Sequence, residues 1–266
     1  MKVHRVLAPN PGLFTGAGSN SWVIQSTGRV AIVDPGPPIE LHLDAIRELV
    51  EELEPVAVLV THSHPDHAPA ANGLATELGV PAYGKSPGPG FKPDVALDDG
   101  DTVTVGTVEI TAVATLGHSP DHLCYVFDNA CFSGDHIIGG STVVIENFAD
   151  YLESLHRLQN TGLEVIYPGH GDPITDPDGL ITEYIEHRLE RERQIIEALR
   201  AGAATVGEVV ELVYQDIDRA LHFAAAQSVA AHLRKLAGDD VVTLPDGASQ
   251  WKSSILYQPG AEPASS

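Results

Sequence analysis

The chain has 266 residues, 43% of them hydrophobic and 20% charged, which suits one large domain or one domain with a small appendage. With 37 acidic against 15 basic side chains its formal net charge is −22, a poor match for roles in which Lys and Arg neutralise phosphates. Residues 1–6 lack the apolar core of a signal peptide and no apolar run is long enough to span a membrane, so a cytoplasmic protein without membrane contact is expected.

In chain order, residues 22–25 and 30–33 are short apolar runs bounded by Gly and Pro and read as strands. Apolar side chains at 39, 43, 46, 49, 50 and 53 follow a helical period. Residues 56–60 form a continuous apolar strand that ends at Thr61, and residues 67–79 suit a helix closed by Gly79. Strands are expected at 103–105 and 108–113 around Gly106, then a hairpin of 123–127 and 130–133. Its two cysteines, Cys124 and Cys131, fall on one face of that hairpin but diagonally, which predicts buried free thiols. A helix at 148–158 and a strand at 165–167 follow. Strands and helices mixed in this order point to a layered α/β domain.

After Asp172-Pro173 the texture changes. Residues 177–201 read as one long charged helix, and Thr205 with Glu208 forms a capping box for a short helix through Tyr214. A third helix is expected at 218–236, then two short strands at 241–244 and 251–256 around Pro245-Asp246-Gly247. Three helices and a hairpin are the pattern of a winged helix. The predicted division is therefore a layered α/β domain at 1–175 and a winged-helix-like domain at 176–266.

Metal-ligand side chains recur at four strand ends. The first is His62-x-His64-x-Asp66-His67, directly after the strand at 56–60. Residues two apart in extended chain point the same way, so His62 and His64 can grip one metal together. Asp66 and His67 stand at the turn into the next helix and can address a second. The others are Gly117-His118-Ser119, Ser133-Gly134-Asp135-His136 and Tyr167-Pro168-Gly169-His170-Gly171. A small residue beside each ligand lets the backbone turn tightly. Imidazole and carboxylate donors suit zinc, with iron or manganese as alternatives. Thirteen histidines make chance neighbours common, but four groups at four strand ends are not explained by number alone.

These motifs, in this order, resemble the metallo-β-lactamase superfamily over roughly residues 10–175. The resemblance implies a four-layer αββα sandwich and two divalent metal ions. It assigns His62, His64 and His118 to one metal, Asp66, His67 and His170 to the other, and Asp135 to both. It also gives Asp34, in Val33-Asp34-Pro35-Gly36, the orientation of a ligand histidine, the alternative being a turn former before Pro35. The implied mechanism is attack by a metal-bridging hydroxide on a carbonyl carbon or a phosphorus, with Asp66 orienting the nucleophile. His122, four residues after His118, is a further catalytic candidate that would contact substrate or donate a proton; a packing role at the strand start is its alternative. His136 reads as structural.

The segments 139–144, 147–155 and 167–171, the His187-Arg188 pair and the winged-helix-like end resemble the lactamase beta 2-like branch. That branch includes endoribonucleases acting on single-stranded RNA, so a phosphodiesterase is one expectation. The acidic charge opposes it, and the helix at 218–236 offers only Arg219, Arg234 and Lys235. The alternative is a small-molecule thioester, ester or lactone hydrolase, similar in its metal motifs to hydroxyacylglutathione hydrolases. A reading of another class is a non-catalytic, metal-stabilised binding protein. Where it makes no nucleic-acid contacts, the helical appendage is expected to shape the active-site rim or a homodimer interface.

Overall fold

The computed structural model describes residues 1–140 and 143–243 and the backbone of Gln258–Pro259. Among these residues, two large sheets form the centre. The first runs in chain order through β1 (Lys2–Leu7), β2 (Asn20–Ser26), β3 (Arg29–Val33), β4 (Glu54–Leu59), β5 (Ala82–Gly84) and β6 (Val95–Ala96). Its first three strands pair antiparallel, and β3 to β6 pair parallel. The second sheet comprises β7 (Thr102–Val105), β8 (Val108–Ala114), β9 (Leu123–Phe127), β10 (Ala130–Gly134) and β11 (Val165–Pro168). It is antiparallel except for β10 and β11. Parallel neighbours need a crossover. Helices α1 (Glu40–Val50), α2 (Ala71–Leu78) and α3 (Phe148–Leu158) lie on the connections β3 to β4, β4 to β5 and β10 to β11.

Alternation along the strands builds the layers. On β2, Trp22 and Ile24 face the second sheet while Val23 faces α1 and α2; on β4, Ala57 and Leu59 face one way and Val58 the other. On β9 and β10, Leu123, Tyr125, Phe127 and Phe132 meet the first sheet, whereas Cys124 and Cys131 turn toward α3. Both thiols are free and buried. The result is the expected αββα order, with one core between the sheets and one under each pair of helices.

Helix α4 (Pro177–Arg200) starts at an Asp176 cap with Pro177 at its first position, where a missing N–H is harmless. Its first half enters the core beneath the second sheet through Ile181, Tyr184 and Ile185. Its second half, through Ile195, Ala198 and Leu199, founds a separate core with α5 (Val206–Val213) and α6 (His222–Gly238). Helix α4 thus begins just past the expected boundary at 175 and contributes to both cores. The Thr205–Glu208 capping box is present. The helix expected at 218–236 is a 3₁₀ turn, Arg219–Leu221, followed by α6. Strand β12 (Val242–Thr243) pairs with β13 (Gln258–Pro259); the strand expected at 251–256 lies outside the described residues.

Among the described residues, β1, β5, β6 and β13 have no counterpart among the expected elements. Helix α2 begins at Ala71 rather than at 67, because the residues before it form a turn: the His67 N–H donates to the His64 carbonyl at 3.0 Å, and the Ala70 N–H to Gly36 at 3.0 Å. That turn is what lifts Asp66 and His67 away from a helical path.

Candidate metal centre

The four ligand groups converge at one end of the two sheets. His62, His64, Asp66 and His67 follow β4, His118 follows β8, Asp135 follows β10 and His170 follows β11. The His64 Nδ1 atom lies 2.9 Å from His62 Nε2 and 3.0 Å from His118 Nε2, so three ring nitrogens point at one spot. Beside it, His170 Nε2 and His67 Nε2 lie 3.2 and 3.4 Å from Asp66 Oδ2. Asp135 stands between the groups: Oδ1 is 3.3 Å from both His67 Nε2 and His170 Nε2, and Oδ2 is 3.9 Å from His118 Nε2.

The outer atoms of these rings are already committed. His118 Nδ1–H donates to the Val144 carbonyl at 2.7 Å and His170 Nδ1–H to the Gly18 carbonyl at 3.2 Å. His67 Nδ1–H donates to Asp34 Oδ2 at 3.0 Å. Asp34 also accepts the Thr61 N–H at 2.7 Å and the Thr61 hydroxyl at 2.6 Å, and that hydroxyl lies 3.0 Å from His62 Nδ1. Fixing the outer nitrogen fixes the tautomer and turns the inner lone pair to the centre. Asp34 thus holds His67 from behind, and its backbone takes the left-handed φ of 49° that Asp tolerates better than most side chains.

The residues fit a cation. His67 Nε2 and Asp135 Oδ1 are buried without a hydrogen-bond partner, an expensive arrangement unless a metal satisfies both. His62, His64, His118 and Asp135 form one group of donors that could hold an ion, and Asp66, His67 and His170 another. Their N and O chemistry suits zinc, iron or manganese. The packing around them is tight: a side chain at Gly169 would place its Cβ 2.4 Å from Asp135 Oδ1 and 2.6 Å from His67 Cε1.

The charge states divide the two groups. Burial, reinforced by the neighbouring imidazoles, holds His62 well below its ordinary pKa. Burial also takes His118 down to about 4, although Asp135 opposes it. Burial pushes the same way on His67 and His170, but the carboxylates win. Asp135, Asp34 and Asp66 hold His67 well above its ordinary value, and Asp135 and Asp66 bring His170 to about 9. Asp66 and Asp135 lie below the usual carboxylate range, because bonds and charge from these histidines outweigh burial.

His122 stands apart. It is completely buried beneath His62, with the ring centroids 4.9 Å apart, and its Nδ1 faces the Thr115 hydroxyl at 2.9 Å. Burial keeps it well below its ordinary pKa, hence neutral. The ring is 0% exposed, the surroundings of a packed side chain. His136 is likewise sealed, against the Tyr151 ring at 4.8 Å.

Other residues matter that the sequence reading did not single out. The Ser19 hydroxyl donates to Asp66 Oδ2 at 2.9 Å. Asp121 accepts the Ser63 N–H at 3.0 Å and the Ser119 hydroxyl at 2.8 Å, tying the His118 loop to the segment between His62 and His64. No motif marked either one.

The model of the Metallo-beta-lactamase superfamily matches residues 14–170. The chain belongs to the metallo-β-lactamase superfamily. A second model, the Beta-lactamase associated winged helix domain, matches residues 205–251 of this superfamily hydrolase. The chain is 35% identical over 268 residues to an atrochrysone carboxyl ACP thioesterase of Aspergillus chevalieri, covering 94% of this chain and 86% of that protein. It is 33% identical over 255 residues to a beta-lactamase-like protein 2 homolog of Caenorhabditis elegans, covering 91% and 86%. The second similarity supports the lactamase beta 2-like branch. Among solved structures, a beta-lactamase domain protein from Burkholderia ambifaria has the same fold, with a TM-score of 0.83, 22% identity and coverage of 97% and 91%. Among the described residues, no helix of this metallo-β-lactamase superfamily member is long and apolar enough to cross a membrane.

Proposed function

We propose that this hydrolase holds two divalent metal ions, zinc in both places, and cleaves the acyl thioesters of small molecules. The observation that carries the metal reading is Asp135, whose two oxygens face the two donor groups separately. His62, His64 and His118 would hold one ion, Asp66, His67 and His170 the other, and Asp135 both. When bound, such a pair supplies Lewis acidity, lowering the pKa of water and drawing electron density from a carbonyl oxygen.

The chain's own groups do the rest. The Asp66 side chain, 26% accessible, is the most open carboxylate of the set and the one placed to orient an attacking water. Ser19 and His170 fix its Oδ2, which leaves the other oxygen to accept a hydrogen bond from the water and aim it. A thiol has a pKa of ~8.5, so a thiolate leaves without a strong general acid. That suits a centre whose extra histidine, His122, is sealed beneath it and acts as a neutral support for His62.

The thioester choice rests on the similarity to a protein named a thioesterase over nearly the whole chain. A local feature agrees with it. The loop before β2 closes through Gly12 and Gly16 and holds up Leu13 and Phe14, 58% and 59% exposed, while its base at Ser19 touches Asp66. An apolar tip rooted in the centre favours an apolar acyl chain.

RNA cleavage is the second reading, and the winged helix is the observation behind it. Helix α6, however, contributes Arg234 and Lys235 as its basic residues. Lys235 is paired with Glu192 at 3.1 Å and Asp239 at 2.8 Å. A matched panel tests the choice: a short-chain and a long-chain acyl thioester, a lactone, a phosphodiester dye and a single-stranded RNA, on wild type and Asp66→Ala. Thioester turnover that chelation abolishes and Asp66→Ala lowers at least 100-fold is expected. Metal-dependent RNA cleavage without thioester turnover would overturn the substrate reading. No turnover of any substrate by the metal-loaded protein would favour a binding role.

A further inference from the structure

The segment 143–147 runs between the His118 loop and the C-terminal helices, and its backbone groups are shared between them. On one side the Val144 carbonyl accepts His118 Nδ1–H at 2.7 Å, and the Gly117 carbonyl accepts the N–H groups of Glu146 and Asn147 at 2.7 and 3.0 Å. On the other side Arg188 Nη2, from α4, donates to the Val143 carbonyl at 2.5 Å, and Arg234 Nη2, from α6, donates to the Glu146 carbonyl at 2.5 Å. Val143 and Ile145 anchor the segment in the core beneath the second sheet.

The Arg188 side chain is an unusual thing to bury. It is 3% exposed, and its guanidinium lies 5.4 Å from the centre of the Tyr151 ring. A charged group buried at a backbone carbonyl is costly to place and holds its partner firmly. Both arginines lie beyond the residues matched by the metallo-β-lactamase model, which ends at 170. One belongs to the long helix that joins the two cores, the other to the winged helix.

We propose that Arg188 and Arg234 are positioning residues for the metal centre: they strap the segment 143–146 from the C-terminal side, so that the Val144 carbonyl holds His118 with Nε2 turned inward. The inference rests on the reading of His118 as a metal ligand, and it gives the appended helices a task in the centre itself. The strap reaches only the His62, His64 and His118 group. The Asp66, His67 and His170 group is held by Asp34, Ser19 and the Gly18 carbonyl, none of which it touches.

The test uses the full chain in two states. In the metal-free protein, long-range proton–nitrogen spectra of the histidines report the tautomer of His118. In the cobalt(II)-loaded protein, titration reports the affinity of each equivalent. Wild type is expected to show His118 as the pure Nδ1–H form. Arg188→Met and Arg234→Ala are each expected to give mixed tautomers and to weaken one cobalt equivalent about 10-fold, the size of effect seen when a ligand's outer partner is lost. The other equivalent stays within twofold, and Arg188→Lys restores most of the loss. A merely structural role would lower Tm without separating the two equivalents. Should Arg188→Met fail to fold, the exposed Arg234→Ala carries the test alone. Unchanged tautomer and unchanged affinities in a folded variant overturn the strap. A wild type that takes up no cobalt while His118 keeps its tautomer sinks the metal reading and leaves the strap standing.

Discussion

At the residue scale, the proposed ligands differ in the protons they hold before a metal arrives. His62 and His118 are neutral at pH 7, since burial keeps the first well below its ordinary pKa and the second at about 4. His67 and His170 are protonated, held up by Asp135 and Asp66, with His170 at about 9. An ion entering the second group must displace those protons. Its apparent affinity therefore rises with pH until about 9, by roughly tenfold per pH unit for each proton released. Calorimetric zinc titrations at pH 6.5 and 8.5 should show one equivalent nearly unchanged and the other tightened at least tenfold, with a heat that depends on the buffer. Equal pH slopes for both equivalents would contradict the division. The metal-free protein carries the complementary signature. The raised His170 pKa adds stability that is complete below its ordinary 6.5 and is lost as pH climbs through about 9.

Asp34 is the second residue whose role can be measured. Asp34→Ala leaves the Thr61 N–H, the Thr61 hydroxyl and His67 Nδ1–H without their acceptor, all of them buried. Each orphaned donor is worth ~1–3 kcal/mol, and the three are not additive, so a loss of about 3 kcal/mol in the chelated protein is expected. Asp34→Asn keeps the left-handed backbone and one acceptor; it should lose less than half of that stability while metal affinity still falls about 10-fold. Urea denaturation with and without chelator checks both. Only part of this site is legible in the sequence. The run from His62 to His67 is local, so its spacing was visible. Ser19 reaches Asp66 across 47 residues, and the Gly18 and Val144 carbonyls carry no side-chain identity at all. His122 read as a catalytic candidate because it follows His118 closely; the start of β9 turns it under the centre, against His62.

At the scale of elements, the helices were the legible part: α1 by its apolar period, α3 and α4 by extent, and α5 by its Thr205 capping box. The missed strands have physical reasons. β5 and β6 have three and two residues and pair only across crossovers, so no local pattern marks them. β1 is an edge strand with no residue in the buried class, and its charged positions hid its alternation. The loop between β1 and β2 is the element that should set substrate preference. Leu13 and Phe14 hold no part of the core, so replacing both with Ser should leave stability within ~0.5 kcal/mol. If the tip covers an acyl chain, the double variant raises KM for a long-chain thioester about tenfold, leaves kcat within twofold and spares a short-chain one. Equal effects on both chain lengths would argue against the contact.

At the scale of the molecule, the question is whether the appended helices form an independent unit. The composition change near 172 suggested a boundary there, and the winged-helix match begins only at 205. Between them lies α4, which serves two cores. Ile181, Tyr184 and Ile185 cover Phe148, Tyr151 and Leu155 in the core beneath the second sheet, and the Tyr184 hydroxyl donates to the Ile138 carbonyl at 2.5 Å. Burying apolar side chains of this size is worth ~1.5–3 kcal/mol each. Together they approach the ~5–15 kcal/mol that holds a whole domain folded. A fragment ending at 175 should therefore aggregate or show no cooperative transition, despite containing every proposed ligand. The full chain should melt in a single calorimetric transition with equal calorimetric and van't Hoff enthalpies, because the helix cannot leave one core without disturbing the other. A folded, metal-binding 1–175 fragment, or two separate transitions in the whole chain, would show that α4 is a tether between domains and not a shared wall.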